Sequence, residues 1–287
     1  MKIYDAFLFF NELDLLELRL ELLYNYVDYF IISECDYTFS GLPKPFYFEE
    51  NKDIFSRFKD KIIHIKHHNS NEIDSFTNPY GDLEQENFDR YNAIIKYYDT
   101  IKHSSKTSYG KPWWCRDLLQ REYVSLGMDK CSDDDIIIFG DLDEFPDPLK
   151  IRTDGNSYLC HQKNMIYYLN RENITEPWHG TIIVPYAKIK NNPLEIIRGS
   201  RFKMNVIQDA GWHCTWMGGS DRIKTKILSW GHQEYNKPDI IKDIDTKLDT
   251  NKDILNRQIT INQIDMLQYY PKEFVEMVKN KFPYLIS

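Results

Sequence analysis

The residues of this chain best placed to do chemistry are carboxylates that follow an apolar run. Ile136-Ile137-Ile138-Phe139 leads into Gly140-Asp141-Leu142-Asp143-Glu144-Phe145-Pro146, which puts three carboxylates within four positions. The apolar run is too short for an isolated helix and rich in β-branching, so it predicts a strand buried on both faces. Gly140 lets the chain turn, and Pro146 and Pro148 stop any regular element from continuing. Asp141 and Asp143 then lie at the carboxyl end of a central strand, where open α/β sheets place their ligands. Oxygen ligands of this kind suit a hard divalent cation. Two other Asp-x-Asp pairs, Asp133/Asp135 and Asp243/Asp245, do not follow such a strand.

A central strand needs neighbours, and the preceding sequence supplies them. Ile3 to Phe10 predicts a first strand, Leu15 to Leu23 an amphipathic helix and Tyr29 to Ser33 a second strand. This order is that of a parallel βαβ unit, whose loops near Asn11 and Glu34 fall at one edge of the sheet. An acidic residue just past the second strand suits a nucleotide's ribose or base, or equally the amides of its own loop. Ile62 to Ile65 predicts a third strand ending in His67 and His68, a pair with no third ligand at metal spacing. Phe88 to Tyr98 predicts a helix, and 81–111 is long enough to fold over a ligand. Trp113 to Leu126 predicts a helix stopped by Gly127; it carries Arg116 and Arg121, and Arg121 is a candidate for a diphosphate or for a plain exposed face.

Beyond the acidic turn, Ser157 to Leu169 and Thr181 to Val184 predict further strands, with Trp178 a sugar platform or a core anchor. Gly211-Trp212-His213-Cys214-Thr215-Trp216 sets His213 ahead of a short aromatic strand. Gly218-Gly219 lead into Ser220 and Asp221, expected to cap a helix from Arg222 to Trp230, and His232 follows it. From Asp239 onward the chain reads as mainly helical, closing on Lys272 to Lys281.

Composition narrows the class. The 287 residues carry a formal charge of −8, which argues against nucleic acid or an anionic membrane as the main partner. Twenty Tyr and six Trp suit flat, partly apolar ligands such as nucleobases and sugar faces. No long uncharged apolar run reads as an integral membrane segment. Five cysteines without a CxxC pair point to free thiols, so a cytoplasmic location is expected.

Four segments in order, Ile3-Tyr4-Asp5-Ala6-Phe7 with Asn11-Glu12 and Leu18, Ile32-Ser33-Glu34 to Phe39-Ser40-Gly41, Gly140 to Pro146, and Gly211 to Trp216, give the chain a resemblance to glycosyltransferase family 17. This is the family of the enzyme that adds the bisecting N-acetylglucosamine to N-glycans. The resemblance implies an α/β fold of the GT-A (Rossmann-like) type, a single domain with a central, mostly parallel sheet flanked by helices. Residues 1–150 would bind the nucleotide sugar, 151–235 shape the acceptor side and 236–287 form a helical segment. It further implies a UDP-sugar donor (UDP-N-acetylglucosamine for the known activity), a glycan or glycoconjugate acceptor, Mn²⁺ or Mg²⁺, and inversion to a β-linkage. Asp143 would bind the cation directly, and Asp141 would reach the ribose or the metal shell. His213 would complete the shell, with His232 as the alternative. Glu34, Arg121 and Asn11 would contact the donor. Asp221 is expected to be the general base, ahead of Glu144, Asp209 and Glu176. The same carboxylates would also serve a nucleotidyltransferase or phosphohydrolase acting on nucleotide sugars, or a non-catalytic nucleotide-sugar or glycan-binding module.

Overall fold

The computed structural model describes residues 1–68 and 112–287; the helix expected at 88–98 and the segment 81–111 lie outside the described residues. A first sheet is built on β1 (Ile3–Phe9), β2 (Tyr29–Cys35), β3 (Ile62–His67) and β4 (Ile136–Asp141), all parallel in the spatial order 3-2-1-4. The helix α1 (Leu13–Leu23) makes the first crossover. Alternate residues of these strands bury into different layers, as a period of two requires. Phe7, Phe9, Ile136 and Ile138 pack with the leucines of α1, while Tyr4, Ala6, Ile137 and Phe139 pack with Val124, Met128 and Leu194 on the opposite face. Burying such a side chain contributes roughly 1.5–3 kcal/mol, and with both faces covered the Ile136–Phe139 run has no solvated side.

After the turn the pattern changes. β9 (Ile182–Pro185) runs antiparallel to β4, and β6 (Tyr158–Cys160) and β10 (Asn205–Ile207) extend that edge to seven strands. A second, five-stranded mixed sheet contains β5 (Glu144–Pro146), β7 (Lys163–Ile166), β8 (Arg171–Asn173), β11 (Gly211–Thr215) and β12 (Ile261–Gln263). The expectation of one central sheet is therefore only partly met. β4 belongs to the first sheet and β5 pairs antiparallel with β11 in the second, so the acidic turn is the junction between them.

Helices complete the layers: α2 (Tyr47–Asn51), α3 (Pro112–Tyr123), α4 (Tyr186–Ile189), α5 (Leu194–Gly199), α6 (Ser220–Ser229), α7 (Pro238–Lys242), α8 (Ile244–Asp249), α9 (Met266–Tyr269) and α10 (Lys272–Lys281). Two local expectations are corrected. His213 lies within β11, because Trp212 and His213 pair with Phe145 and Glu144. The residue preceding α6 is Gly219, at φ 86°, and no side chain caps the helix, so Ser220 and Asp221 occupy its first turn. Among the described residues no helix is long and apolar enough to cross a membrane. Among the described residues Cys35, Cys131, Cys160 and Cys214 form no disulfide.

Candidate active site

The acidic turn is held from beneath by one arginine. Arg19, fully buried on α1, donates Nε and Nη2 to the two carboxylate oxygens of Asp5 on β1 at 2.8 and 2.7 Å. Its Nη1 donates to the carbonyl oxygens of Asp141, Leu142 and Glu144 at 2.7, 2.9 and 2.9 Å. The rigid fork of the guanidinium makes this possible, and it converts the first βα unit into a support for the turn. From the other side Glu144, also fully buried, accepts from Asp141 N, Trp178 Nε1, Thr181 Oγ1 and Arg198 Nη2 at 3.1, 2.7, 2.9 and 2.8 Å. Gly140 is required here by close approach, since a Cβ at that position would meet Glu144 Oε2 at 2.5 Å.

With the backbone held, the two aspartates meet different partners. Asp141 accepts from Arg121 Nη1 at 2.6 Å through Oδ1 and from Arg198 Nη2 at 3.3 Å through Oδ2. Arg121 also donates to Asp117 at 2.9 Å, and its Nε lies 3.5 Å from Glu195 Oε2. Asp143 accepts from Lys226 Nζ on α6 at 2.8 Å, and the same oxygen lies 3.8 Å from His213 Nε2. Desolvation would raise the pKa of Asp143, but Lys226, with His213 adding to it, holds that carboxyl below its ordinary value.

The tautomer of His213 follows from its neighbours. Asn164 donates Nδ2 to the Glu176 carbonyl at 2.9 Å, which turns its Oδ1 towards His213 Nδ1, 3.1 Å away. Nδ1 therefore carries the proton, and the Nε2 lone pair faces Asp143. Burial pushes the His213 pKa down to about 4, so the ring is neutral at physiological pH, the form that ligates metals. Trp178 stacks on it, ring centroids 4.1 Å apart at 16°. Among the described residues no group of three His, Cys, Asp or Glu converges as a closed metal site. Asp143 and His213 nonetheless offer one carboxylate oxygen and one imidazole nitrogen, a donor set that fits Mn²⁺ or Mg²⁺ completing its shell from ligand phosphates and water. Each oxygen of Asp141 accepts from a guanidinium group.

These residues floor a cleft of about 560 Å³, within the range of small-molecule sites. One wall is aromatic: Trp216 and Trp230 lie 4.9 Å apart, Trp230 and His232 4.7 Å, and His232 and Trp114 4.5 Å. Glu195 lines the cleft, and burial raises its carboxyl to about 7 against the pull of Arg121.

Of the residues singled out in the sequence, Arg121, Asp141, Asp143, His213 and His232 line this cleft. His232 is 44% exposed and bonded to Glu234 at 2.8 Å. Glu34 is fully buried and takes the second of its two readings: it accepts from Phe48 N at 2.9 Å and Glu49 N at 3.4 Å at the start of α2, with His64 Nε2 3.2 Å away. Asn11 lines a narrow pocket with Arg222 that shares Glu12, Trp216 and Lys226 with the cleft. Asp221 points to solvent with 98% of its side chain exposed and faces Lys224 at 3.5 Å. Glu144 is the buried brace, Asp209 pairs with Lys163 and Glu176 with Arg257. None of these four carboxylates lines the cleft. Sequence reasoning missed Arg19, Arg198, Lys226 and Glu195. Only Arg19 carried a signal, as the single cation in the leucine-rich α1.

No curated protein and no solved structure matches the chain. A family model matches residues 1–104, a span that contains Asp5, Arg19 and Glu34 and ends before the acidic turn. That model is glycosyltransferase family 17, and over those residues the chain is similar to this family.

Proposed function

We propose that the chain is a metal-dependent, inverting glycosyltransferase of the GT-A type that moves a sugar, N-acetylglucosamine in the first instance, from a UDP-sugar to a glycan acceptor. The observation that carries this reading is the pairing of Asp143 with a neutral His213 whose Nε2 lone pair faces it at 3.8 Å, on the floor of a cleft at the carboxyl end of a central strand. A divalent cation bound there would neutralise charge developing on the diphosphate leaving group. The chain's own residues do the rest. Arg121 and Arg198, fixed by Asp141, add positive charge to the same floor, and the aromatic wall and Trp178 offer faces to base and sugars. In an inverting transfer the acceptor hydroxyl attacks the anomeric carbon as the bond to UDP breaks, and a base takes the hydroxyl proton. Glu195 replaces Asp221 as our candidate for that base: it lines the cleft and its pKa of about 7 suits proton acceptance at neutral pH, whereas Asp221 is turned away.

The test is release of free UDP from a panel of nucleotide sugars with and without Mn²⁺, in wild type and Asp143→Ala. Mn²⁺-dependent release from one donor, lost in the variant, is the expected result. Release of sugar phosphate or pyrophosphate instead of UDP would show attack at phosphorus and overturn the reading.

A further inference from the structure

We infer that Lys226 is a resident counter-ion that a divalent cation must displace from Asp143, and that the displaced ammonium then holds the donor's diphosphate, so that it couples the binding of cation and nucleotide. The inference rests on the functional reading above. Lys226 Nζ bonds Asp143 Oδ2, the same oxygen that faces His213 Nε2. An ammonium and a divalent cation cannot share that oxygen without strong repulsion at contact distance in a partly desolvated site. Leaving Asp143 without any cation is equally unfavourable, because its carboxylate is 12% exposed and surrounded by protein. The two cations are therefore alternatives.

Lys226 is also free to leave. Among the described residues its ammonium makes no other hydrogen bond; it lies 5.7 Å from the centroid of the Trp216 ring and is drawn also by the Glu12 carboxylate. By contrast Arg121 is tied to Asp117 as well as Asp141, and Arg198 to Gly180 O and Glu144 as well as Asp141. Of the three cations bonded to the two aspartate side chains of the turn, the lysine alone is held through one atom pair. It lines the cleft, so once displaced it meets whatever anion lies over the metal. Lysine serves such a role as a flexible point charge.

Linkage then fixes the direction of each effect: removing the ammonium should help the cation alone and harm the nucleotide. Mn²⁺ binding without nucleotide, measured by titration calorimetry or by the electron paramagnetic resonance signal of free Mn²⁺, should tighten by about tenfold in Lys226→Met, within the usual span of coupling between sites. UDP binding at saturating Mn²⁺ should weaken by about tenfold in the same variant. Lys226→Arg, which keeps the charge, should stay near wild type in Mn²⁺ affinity, and Asp143→Asn should lose it. Unchanged or weaker Mn²⁺ binding in Lys226→Met, with its circular dichroism and melting curve as in wild type, would overturn the inference. So would the absence of Mn²⁺ binding in every form. Failure of the functional reading shows differently, as no UDP release from any nucleotide sugar by wild type, whatever the order of Mn²⁺ affinities.

Discussion

The two aspartates of the turn stand two residues apart and are held in opposite ways. Asp141 ends a strand of the seven-stranded sheet and is gripped by two guanidinium groups, each of which has further partners. Asp143 lies past the junction, against the five-stranded sheet, with one lysine and one neutral histidine for company. The difference is one of anchoring: two arginines fix Asp141, and one lysine holds Asp143. A carboxylate held on both oxygens by guanidinium groups that have other partners is fixed in place, while one held by a single ammonium can more readily exchange its partner. An Asp-x-Asp spacing alone would treat the two as equivalent.

Substitutions at the two positions test that asymmetry most directly. Asp143→Ala is expected to lower Mn²⁺-dependent UDP release by about 10³-fold, comparable to removing a principal transition-state stabiliser. Asp141→Asn, measured in the same assay, should raise the donor KM through loosened arginines and leave Mn²⁺ affinity near wild type; a loss of Mn²⁺ affinity equal to that of Asp143→Ala would erase the distinction. The support beneath both comes next. Arg19→Met leaves Asp5 buried without its partner and should cost about 3–5 kcal/mol in urea unfolding, with activity falling because the turn loses three hydrogen bonds.

Glu195→Gln should reduce kcat by about 10²-fold. The base acts deprotonated, so wild-type kcat/KM should rise with pH and level off above about 7, and the variant should lose that limb. The same raised value has a stability consequence of fixed sign. Between the ordinary value of 4.5 and about 7 the folded chain keeps a proton that the unfolded chain releases, so this group's contribution to stability declines as pH rises through that window. Asp221→Asn gives the smallest change, within about twofold in kcat, as expected for an exposed surface carboxylate; a loss matching that of Glu195→Gln would restore Asp221 as the base.

Local pattern carried the first half of the molecule. The β-branched run Ile136–Phe139, the Ile3–Phe9 strand and the leucines of α1 announce a buried parallel sheet because periodicity and burial are properties of neighbouring residues. The final helix over Lys272–Lys281 was legible for the same reason. The small sheet was not, since its strands of three to five residues are chosen by pairing with distant partners such as Glu144 with His213. Glu34 shows the limit from the other direction: its place after β2 fits ribose binding and loop capping equally, and only the packing of α2 against β2 directs it to Phe48 N and Glu49 N.

By itself the sequence determined that carboxylates follow a buried, β-branched strand, and four segments in order carry its resemblance to a glycosyltransferase family. The tertiary structure alone decided which aspartate is held by a single lysine, which tautomer His213 adopts, and that Lys226, Arg198 and Glu195 line the cleft while Asp221 faces solvent. The physical reason is range. Propensity and hydrophobic periodicity act over a few residues, whereas Arg19 reaches 122 positions to Asp141 and Lys226 reaches 83 to Asp143, distances along the chain that only a folded core can close.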